Sequence, residues 1–385
     1  MGARERFERA ASKISDYYQE LEVQIFKLII DALQKGDYKH VDQNDVVMWQ
    51  AQQLSKINQL NHQVIKLLSK KDGISQKAIE DMIKFHGMAI ADEIDSQLER
   101  LTNKDIGVSD EVKLLVSGIA QQTWTDLQNN VNESLVSRNY GQSAVTKAYR
   151  QVLTESTTAT VTGLMTHADA VESAMYRVVD KGLPTNLTDK AGHNWSLEGY
   201  TRMVVNTTVN RTFNEVRLQR MSDFGMHLAL MSAHPNSRPA CAPIQGHVVN
   251  LVPASDPAFN PHYDTIYAHG YGEPSGVEGI NCRHVLFPYE PGVSVNNQPQ
   301  YDPDEAIKNG KLVQQQRARE RAIRDAKKRL AVAEQLGDDK MIIQSKTLLQ
   351  ARQAKLRDFI KETNAGRDIP LLTRDYEREK IANQV

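Results

Sequence analysis

The sequence predicts a mainly α-helical α+β protein in which a small module with a few short strands lies between two helical regions. Eleven of the 13 prolines lie in residues 235–303, and six of the 11 histidines lie in residues 227–284. Proline interrupts helices because it lacks a backbone donor and clashes with the preceding turn. We therefore predict a helical region at 1–182, a compact α+β module at 183–300 and a basic helical segment at 301–385.

Composition and charge describe an ordinary globular chain of 385 residues and exclude several classes of protein. Charged residues make up 25% and apolar residues 40% of the chain, which argues against wholesale disorder. The two cysteines, Cys241 and Cys282, are too few for a disulfide-stapled secreted scaffold. No segment approaches the roughly 18 consecutive apolar residues of a membrane helix, and we expect no signal peptide. The net charge of −1 excludes a broadly basic nucleic-acid binder.

Apolar side chains in the first 182 residues recur every three or four positions, which is the spacing of a helix that packs on one face. Ile14, Tyr18, Leu21 and Ile25 show this spacing first, and similar stripes follow as far as about Val179. We expect breaks at four places that contain glycine with charged residues or proline. They are Lys35-Gly36-Asp37, Lys71-Asp72-Gly73, Asp105-Ile106-Gly107 and Gly182-Leu183-Pro184. The sequence thus predicts five or six helices before residue 182.

The central module is predicted to begin with a helix and to continue with short strands. Ser196 is the expected N-cap of a helix to about Arg220, because its hydroxyl can accept from an amide of the first turn. Apolar runs then predict strands at 228–232, 248–252 and 285–289, the second followed by a loop of about 27 residues.

Four side chains of this module are candidate ligands for a metal ion. Cys241, His247, Cys282 and His284 supply the sulfur and imidazole groups that zinc prefers, and His234 is a substitute ligand. Cys282 and His284 would share one face of a strand, because alternate residues do so. The spacing differs from standard zinc-binding sequences, in which C-x2-C and H-x3-H pairs dominate. The alternative is that these side chains are packed or hydrogen-bonded in the core.

Catalysis is a second interpretation of the same region. His284, beside Asn281, could act as a general base or metal ligand in a nuclease. A cysteine nucleophile would need Cys241 or Cys282 to be activated by a neighbouring histidine. The sequence contains no carboxylate pair at a diagnostic spacing, no nucleophile elbow and no phosphate-binding glycine loop. We therefore assign no catalytic residues, no small-molecule substrate and no cofactor other than the candidate zinc ion.

The C-terminal segment is basic, whereas the rest of the chain is acidic. Residues 304–385 contain 19 Lys plus Arg and 13 Asp plus Glu, against 28 and 35 in the remainder. Basic side chains are densest at 317–329, where the composition favours a helix. Such a helix could bind nucleic-acid phosphates or an acidic protein surface. The alternative is a solvated helix face with i,i+4 ion pairs such as Glu320 with Arg324.

Four motifs follow one another between residues 189 and 292. They are DKAGHNWSLEGYTRM at 189–203, SAHPNSR at 232–238, CAPIQG at 241–246 and GINCRH at 279–284. Together they resemble the motifs of the phage minor capsid protein 2 family, found in tailed phages and prophages of Gram-positive bacteria. The last is also similar to the N-C-R-C closing motif of Mu F-like head morphogenesis proteins, with His284 in place of the second cysteine. The residues that carry the resemblance are Trp195, Tyr200, His234, Arg238, Gln245, Gly246, Asn281 and Arg283.

This resemblance implies a low-copy structural protein of the virion that takes part in head morphogenesis and is not an enzyme. The implied partners are the portal protein and the major capsid protein, and packaged DNA is a further candidate partner of the basic C-terminal helix. The protein would be made in the host cytoplasm and would lie in the procapsid interior, without membrane contact. The alternative function is a metal-dependent nucleic-acid-processing enzyme or a DNA-binding packaging factor.

Overall fold

The computed structural model describes residues 2–70, 76–135, 143–188, 192 and 194–381. Helices dominate this part of the chain, and a small mixed sheet lies between the N-terminal and C-terminal helices, so the predicted fold class is confirmed. The helices are α1 (Ala3–Lys35), α2 (Val46–Ser55), α3 (Ile57–Lys70), α4 (Gln76–Thr102), α5 (Asp110–Leu127), α6 (Glu133–Leu135), α7 (Ala144–Val161), α8 (His167–Lys181), α9 (Leu197–Asp223), α10 (Pro303–Leu336), α11 (Asp339–Asn364) and α12 (Tyr376–Glu379).

The 33-residue helix α1 buries the apolar stripe that is visible in the sequence. Ile14, Tyr18, Leu21 and Ile25 are all buried in a core shared by the N-terminal helices and α9. Helix α1 packs against α4 and α9, and α9 in turn contacts α4 and α5. Helix α9 therefore lies at the centre of the helical region. Its buried positions accordingly hold mostly apolar or small polar side chains and few charged ones.

Three of the four predicted breaks coincide with helix ends, and the fourth, Lys71-Asp72-Gly73, lies outside the described residues. Gly36 ends α1, residues 103–109 separate α4 from α5, and Gly182 ends α8 with a φ of 71°. Glycine is favoured at Gly182 because this left-handed conformation strains residues that carry a Cβ.

The helical region is divided more finely than predicted. The described residues before β1 contain eight α-helices, one of them only three residues long, where the sequence indicates five or six. The apolar spacing that continues to about Val179 is interrupted at 162–166, between α7 and α8, where Gly163 has a φ of 69°. Lys56 alone separates α2 from α3. Short interruptions escape notice in the sequence because most of the apolar spacing is unchanged across them.

A two-stranded hairpin and a four-stranded sheet lie on either side of α9 along the chain. Strands β1 (Pro184–Thr188) and β2 (Asn194–Ser196) form the antiparallel hairpin, which the apolar spacing does not indicate. Ser196 then caps α9 as predicted, since its Oγ accepts from the backbone amide of Gly199 at 3.2 Å. This cap gives α9 a defined start next to the hairpin.

The four-stranded sheet follows α9 and has the order β5-β4-β3-β6. Its strands are β3 (Leu228–Met231), β4 (Val248–Asn250), β5 (Asp264–Thr265) and β6 (Leu286–Pro288). The central strand β3 pairs antiparallel with both β4 and β6, while β5 lies parallel to β4 at one edge. The three predicted strands are confirmed. The two residues of β5 lie in the predicted long loop and are too few to produce a recognisable apolar pattern.

The sheet has an apolar core of its own, to which two helices contribute. Ile94 and Leu98 of α4 and Met221 of α9 belong to this core. Cys241 and Cys282 belong to it as well, and both thiols are free. The C-terminal parts of α4 and α9 therefore pack directly against the module that contains both cysteines.

The C-terminal helices α10 and α11 form a hairpin that packs back on the N-terminal helices. Gly337 connects them with a φ of 71°, and α10 contacts both α1 and α8. Contacts join all three predicted segments. The boundaries at 182 and 300 stay predictions. Within the described ranges, no helix has the combination of length and apolar character needed to cross a membrane.

Candidate functional site

Three of the predicted metal ligands lie together in the core of the sheet. The sulfur atoms of Cys241 and Cys282 and a ring nitrogen of His284 all lie within 4.8 Å of one another. Cys282 Sγ is 3.5 Å from Nδ1 of His284. All three residues are buried. We call these three side chains the Cys/His cluster.

The pairing of β3 with two other strands brings the cluster together. The turn that contains Cys241 leaves the end of β3, and Gly246 returns to it by donating its amide to the carbonyl of Met231 at 3.0 Å. The segment that contains Cys282 leads into β6, and the amide of Ser232 donates to the carbonyl of Val285 at 2.8 Å. Because both segments are held at the same end of β3, their side chains meet although they are distant in sequence.

Gln245 fixes the orientation of the imidazole in the cluster. Its Oε1 accepts from Nε2 of His284 at 3.0 Å and from the backbone amide of His234 at 3.1 Å. An amide oxygen can only accept, so Nε2 of His284 carries the proton and Nδ1 presents its lone pair towards Cys282. Gln245 is therefore the polar side chain that sets the tautomer of His284.

Arg238 holds the loop that leads to Cys282. Its guanidinium donates to the carbonyl oxygens of Pro274, Gly276 and Ile280, the first two at 3.3 and 3.4 Å. A guanidinium suits this task because its donors are arranged in a rigid planar fork. The conspicuous arginine of the second motif thus organises loop backbone around the Cys/His cluster.

Two motif residues serve the backbone geometry of the same region. Gly246 has a φ of 75°, and a Cβ at this position would lie 3.0 Å from the carbonyl oxygen of Pro299. Asn281 has a φ of 59°, a left-handed conformation that asparagine tolerates better than most residues, and its side chain is exposed. The position of Asn281 in a turn accounts for its residue type without a chemical role.

Trp195, Tyr200 and Arg283 make their contacts with other parts of the chain. The ring of Trp195 meets that of Tyr200 edge to face at 6.3 Å, and the Tyr200 hydroxyl accepts from Asn130 at 2.8 Å. Arg283 is exposed, and its carbonyl accepts from Arg4 at 3.4 Å. Trp195 and Tyr200 thus secure the start of α9, while Arg283 connects the cysteine-containing segment to the start of α1.

His247 and His234, the other predicted ligands, are not members of the Cys/His cluster. His247 follows the left-handed turn at Gly246 and has an exposed side chain. It therefore lies apart from the three ligands with which the sequence groups it. His234 is half-buried, with its ring 4.9 Å from that of His284 and its Nε2 3.3 Å from the hydroxyl of Ser232. Burial, and then the nearby His284, lowers the pKa of His234 to about 4. It is therefore neutral at pH 7.

Electrostatic coupling distinguishes the two cysteines. The hydrogen bond with Cys241 lowers the pKa of the Cys282 thiol well below its usual value, although burial opposes this. The same hydrogen bond, together with burial, raises the pKa of Cys241. The carboxylate of Glu278 lies nearby. Burial, and then the charge of Cys282, raise the pKa of this carboxylate. Its Oε2 accepts from Asn214, while its buried Oε1 has no hydrogen-bond partner.

The basic helix predicted at the C-terminus buries two of its basic side chains. Arg324 and Lys328 of α10 are buried and bind Glu198, so the expected surface pair of Glu320 with Arg324 is wrong. Glu320 instead binds Arg317 at 2.9 Å. Within 317–329 only Arg321 among the basic residues is exposed, and the others are half-buried or buried.

The buried carboxylates and basic groups of α1, α9 and α10 form a second site. It consists of Glu22, Glu198, Arg202, Arg324 and Lys328, which we call the charge cluster. Burial alone would raise the pKa of Glu198, but its three basic partners lower it to about 2. The two carboxylates raise the pKa of Lys328 above its usual value, against the effect of burial.

A sequence signal for the charge cluster exists but is incomplete. Glu22 falls four residues after Tyr18 and three before Ile25, which puts a carboxylate inside the apolar stripe of α1. A charge at such a position needs a buried partner. Nothing in the spacing says that this partner is Lys328, 306 residues further along the chain.

Known proteins identify the class to which this fold and these motifs belong. The sequence matches phage minor capsid protein 2 over residues 3–361, and the chain therefore belongs to that family. It is 42% identical to a structural protein of Lactococcus phage LL-H over 368 residues, which is 95% of this chain and 98% of that protein. It is also 45% identical to a structural protein of Lactococcus phage mv4 over 128 residues, 33% of this chain and 99% of that protein. No solved structure matches the chain.

The family and the relatives confirm the function that the four motifs imply at its coarser level. The chain is a phage structural protein of the minor capsid class and thus a component of the virion. Its partners are accordingly other proteins of the virion.

Proposed function

We propose that this minor capsid protein associates with the portal on the inside of the phage head and acts there by protein–protein contacts and not by catalysis. The observation that carries the proposal is an exposed apolar surface on the N-terminal helices, at the junction of α2 with the turn between α7 and α8. Exposed apolar side chains are unremarkable singly, but grouped ones indicate an interaction site.

The apolar surface is formed by Val47 and Met48 of α2 and by the turn after α7. Val47 and Met48 are 61% and 59% exposed, and Leu164 is 76% exposed. Two contacts hold α2 and the residues before it against the ends of α7 and α8: Gln43 donates to the carbonyl of Val161 at 2.7 Å, and the rings of Trp49 and His167 meet at 4.4 Å. We call this the α2/α7 surface; its exposed apolar residues are Val47, Met48, Val161, Leu164 and Met165.

The distribution of charge supports a protein partner over DNA. Four of the seven basic residues at 317–329 pair with carboxylates of the chain itself, and two of the four are the buried Arg324 and Lys328 of the charge cluster. Phosphate binding by these groups would require breaking buried ion pairs, which is strongly unfavourable. Contacts with the portal and the major capsid protein do not require this.

Co-sedimentation with procapsids tests the proposal. Procapsids assembled by a phage that lacks this gene would be mixed with purified wild-type protein or with the Met48→Lys/Leu164→Lys double variant. Lysine at two central apolar positions should reduce the bound fraction by about tenfold or more, since one central contact is commonly worth 1 kcal/mol or more. Portal-free procapsids should bind less wild-type protein than complete ones.

The matched control is the double variant Ile343→Lys/Ile369→Lys, which changes two apolar residues on and after α11 that are slightly more exposed than Met48 and Leu164. It should bind as the wild type does. Equal binding of wild-type protein to complete and portal-free procapsids would contradict portal association. Equal binding of both double variants would contradict the role of the α2/α7 surface.

A further inference from the structure

The Cys/His cluster has the separations that a tetrahedral zinc ion requires. Zinc–sulfur and zinc–nitrogen bonds of about 2.3 and 2.1 Å place the two ligand atoms roughly 3.6 Å apart at a tetrahedral angle. The distance between Cys282 Sγ and His284 Nδ1 is 3.5 Å. Cys241 Sγ lies within 4.8 Å of both atoms, so a small movement of its side chain would complete three zinc bonds.

The surroundings of His284 match those of a metal-binding imidazole. Histidine ligands usually donate their second ring nitrogen to a carbonyl or carboxylate oxygen, which fixes the ring and leaves the first nitrogen free to bind metal. Gln245 Oε1 accepts from Nε2 of His284 at 3.0 Å, and Nδ1 faces Cys282. The same Oε1 is held by the backbone amide of His234. Two donors thus hold this oxygen in place.

Charge balance also favours a doubly charged soft cation. Two thiolates and a neutral imidazole around Zn²⁺ make a site with no net charge, which suits the apolar core formed by Met231, Ile244 and Leu286. Thiolate and imidazole ligands select zinc over magnesium or calcium, which prefer oxygen.

We propose that Cys241, Cys282 and His284 bind one zinc ion, with the fourth coordination position taken by water or another small ligand. Among the described residues, no further cysteine, histidine or carboxylate belongs to the group of mutually close ligand atoms. The ion would join the turn after β3 to the segment before β6 and so stabilise the sheet. This inference is independent of portal association.

Metal analysis of the purified full-length chain provides the test. Protein prepared under reducing conditions and dialysed after zinc addition should contain about one zinc per chain. Cobalt(II) in place of zinc should give thiolate-to-metal charge-transfer absorption and the visible bands of a tetrahedral site. Removing zinc with a chelator should lower the midpoint of thermal unfolding, because an ion bound only by the folded state stabilises it.

Two variants separate the proposed site from the arrangement expected from the sequence alone. Cys282→Ser should lose zinc while keeping the far-ultraviolet circular dichroism of the wild type. His247→Ala, which alters an exposed histidine outside the cluster, should keep the zinc. Wild-type protein that holds less than about 0.2 zinc per chain after zinc addition would overturn the proposal. Retention of zinc by folded Cys282→Ser would overturn it too, as would loss of zinc in His247→Ala.

Discussion

Replacing Glu198 with glutamine removes one negative charge from the charge cluster while keeping the size of the side chain. Glu198 binds Lys328 at 3.1 Å, Arg202 at 3.1 Å and Arg324, and its side chain is only 6% exposed. The substitution leaves Lys328 with Glu22 as its remaining buried partner and Arg324 without a carboxylate. Because neither basic group can reach bulk water without disturbing the packing of α10, the folded state should be destabilised.

The pKa of Glu198 gives the size of the effect. Its value falls from the ordinary 4.5 to about 2 in the folded protein. A shift of one pKa unit corresponds to about 1.4 kcal/mol. The ionised form of Glu198 therefore stabilises the folded state by about 3 kcal/mol. Breaking a buried ion pair by removing one partner typically destabilises by a similar amount, about 3–5 kcal/mol. We therefore expect Glu198→Gln to lower the free energy of unfolding by about 3 kcal/mol at pH 7.

The same pKa predicts how this difference depends on pH. The pKa of Glu198 is lower in the folded state, so its stabilising contribution is complete above about pH 4.5. Below that, the unfolded chain takes up a proton before the folded chain does, and the contribution is lost as the pH approaches about 2. The stability difference between wild type and Glu198→Gln should therefore shrink over this interval.

Urea denaturation followed by circular dichroism, at pH 7 and at several lower pH values, measures both effects. Glu377→Gln is the matched control, because its carboxylate is 80% exposed and pairs with Lys380 at 3.4 Å. It should change the free energy of unfolding by less than about 1 kcal/mol. A loss no larger for Glu198→Gln than for Glu377→Gln at pH 7, or a difference that does not vary between pH 4.5 and 2, would refute the reasoning.

Two further substitutions test the packing around the sheet. Gly246→Ala should lower the free energy of unfolding by about 1–3 kcal/mol, because it strains a φ of 75° and places a Cβ 3.0 Å from the carbonyl oxygen of Pro299. Gly163→Ala strains a similar φ of 69° with no atom within 4 Å, so urea titration should show a smaller loss, and equal losses would contradict the close approach. Arg220→Met removes a fully buried guanidinium that binds Asp95 and should lower the free energy of unfolding by about 3–5 kcal/mol; unchanged thermal unfolding would contradict this.

Local pattern explains which parts of the structure could be predicted from the sequence. Helix α1, the Ser196 cap and strands β3, β4 and β6 follow from spacing within a few residues, and each is confirmed. The approach of Cys282 to His284 follows from alternation along an extended segment, although that segment precedes β6 and is not itself a strand. Each of these features depends on residues that are close in sequence.

Long-range contacts explain the remainder. Lys328 binds Glu198 across 130 residues, and the spacing within either helix does not reveal this pairing. The expected pair of Glu320 with Arg324 is not formed for the same reason. The carboxylate that binds Arg324 is that of Glu198, on another helix. His247 lies six residues after Cys241, yet the left-handed turn at Gly246 separates their side chains. Spacing along the chain does not reveal a reversal of this kind unless the turn itself is recognised.

Helix α9 connects the two clusters and explains why the cysteine-containing module is not an independent appendage. Its first turn supplies Glu198 to the charge cluster, and its later turns supply Asn214 and Arg217, which donate to the carbonyls of His284 and Leu286. The 16 residues from Glu198 to Asn214 span about 24 Å at 1.5 Å per residue. A rigid rod held at both ends fixes the sheet relative to α1 and α10. A partner that binds the helical region therefore also positions the Cys/His cluster.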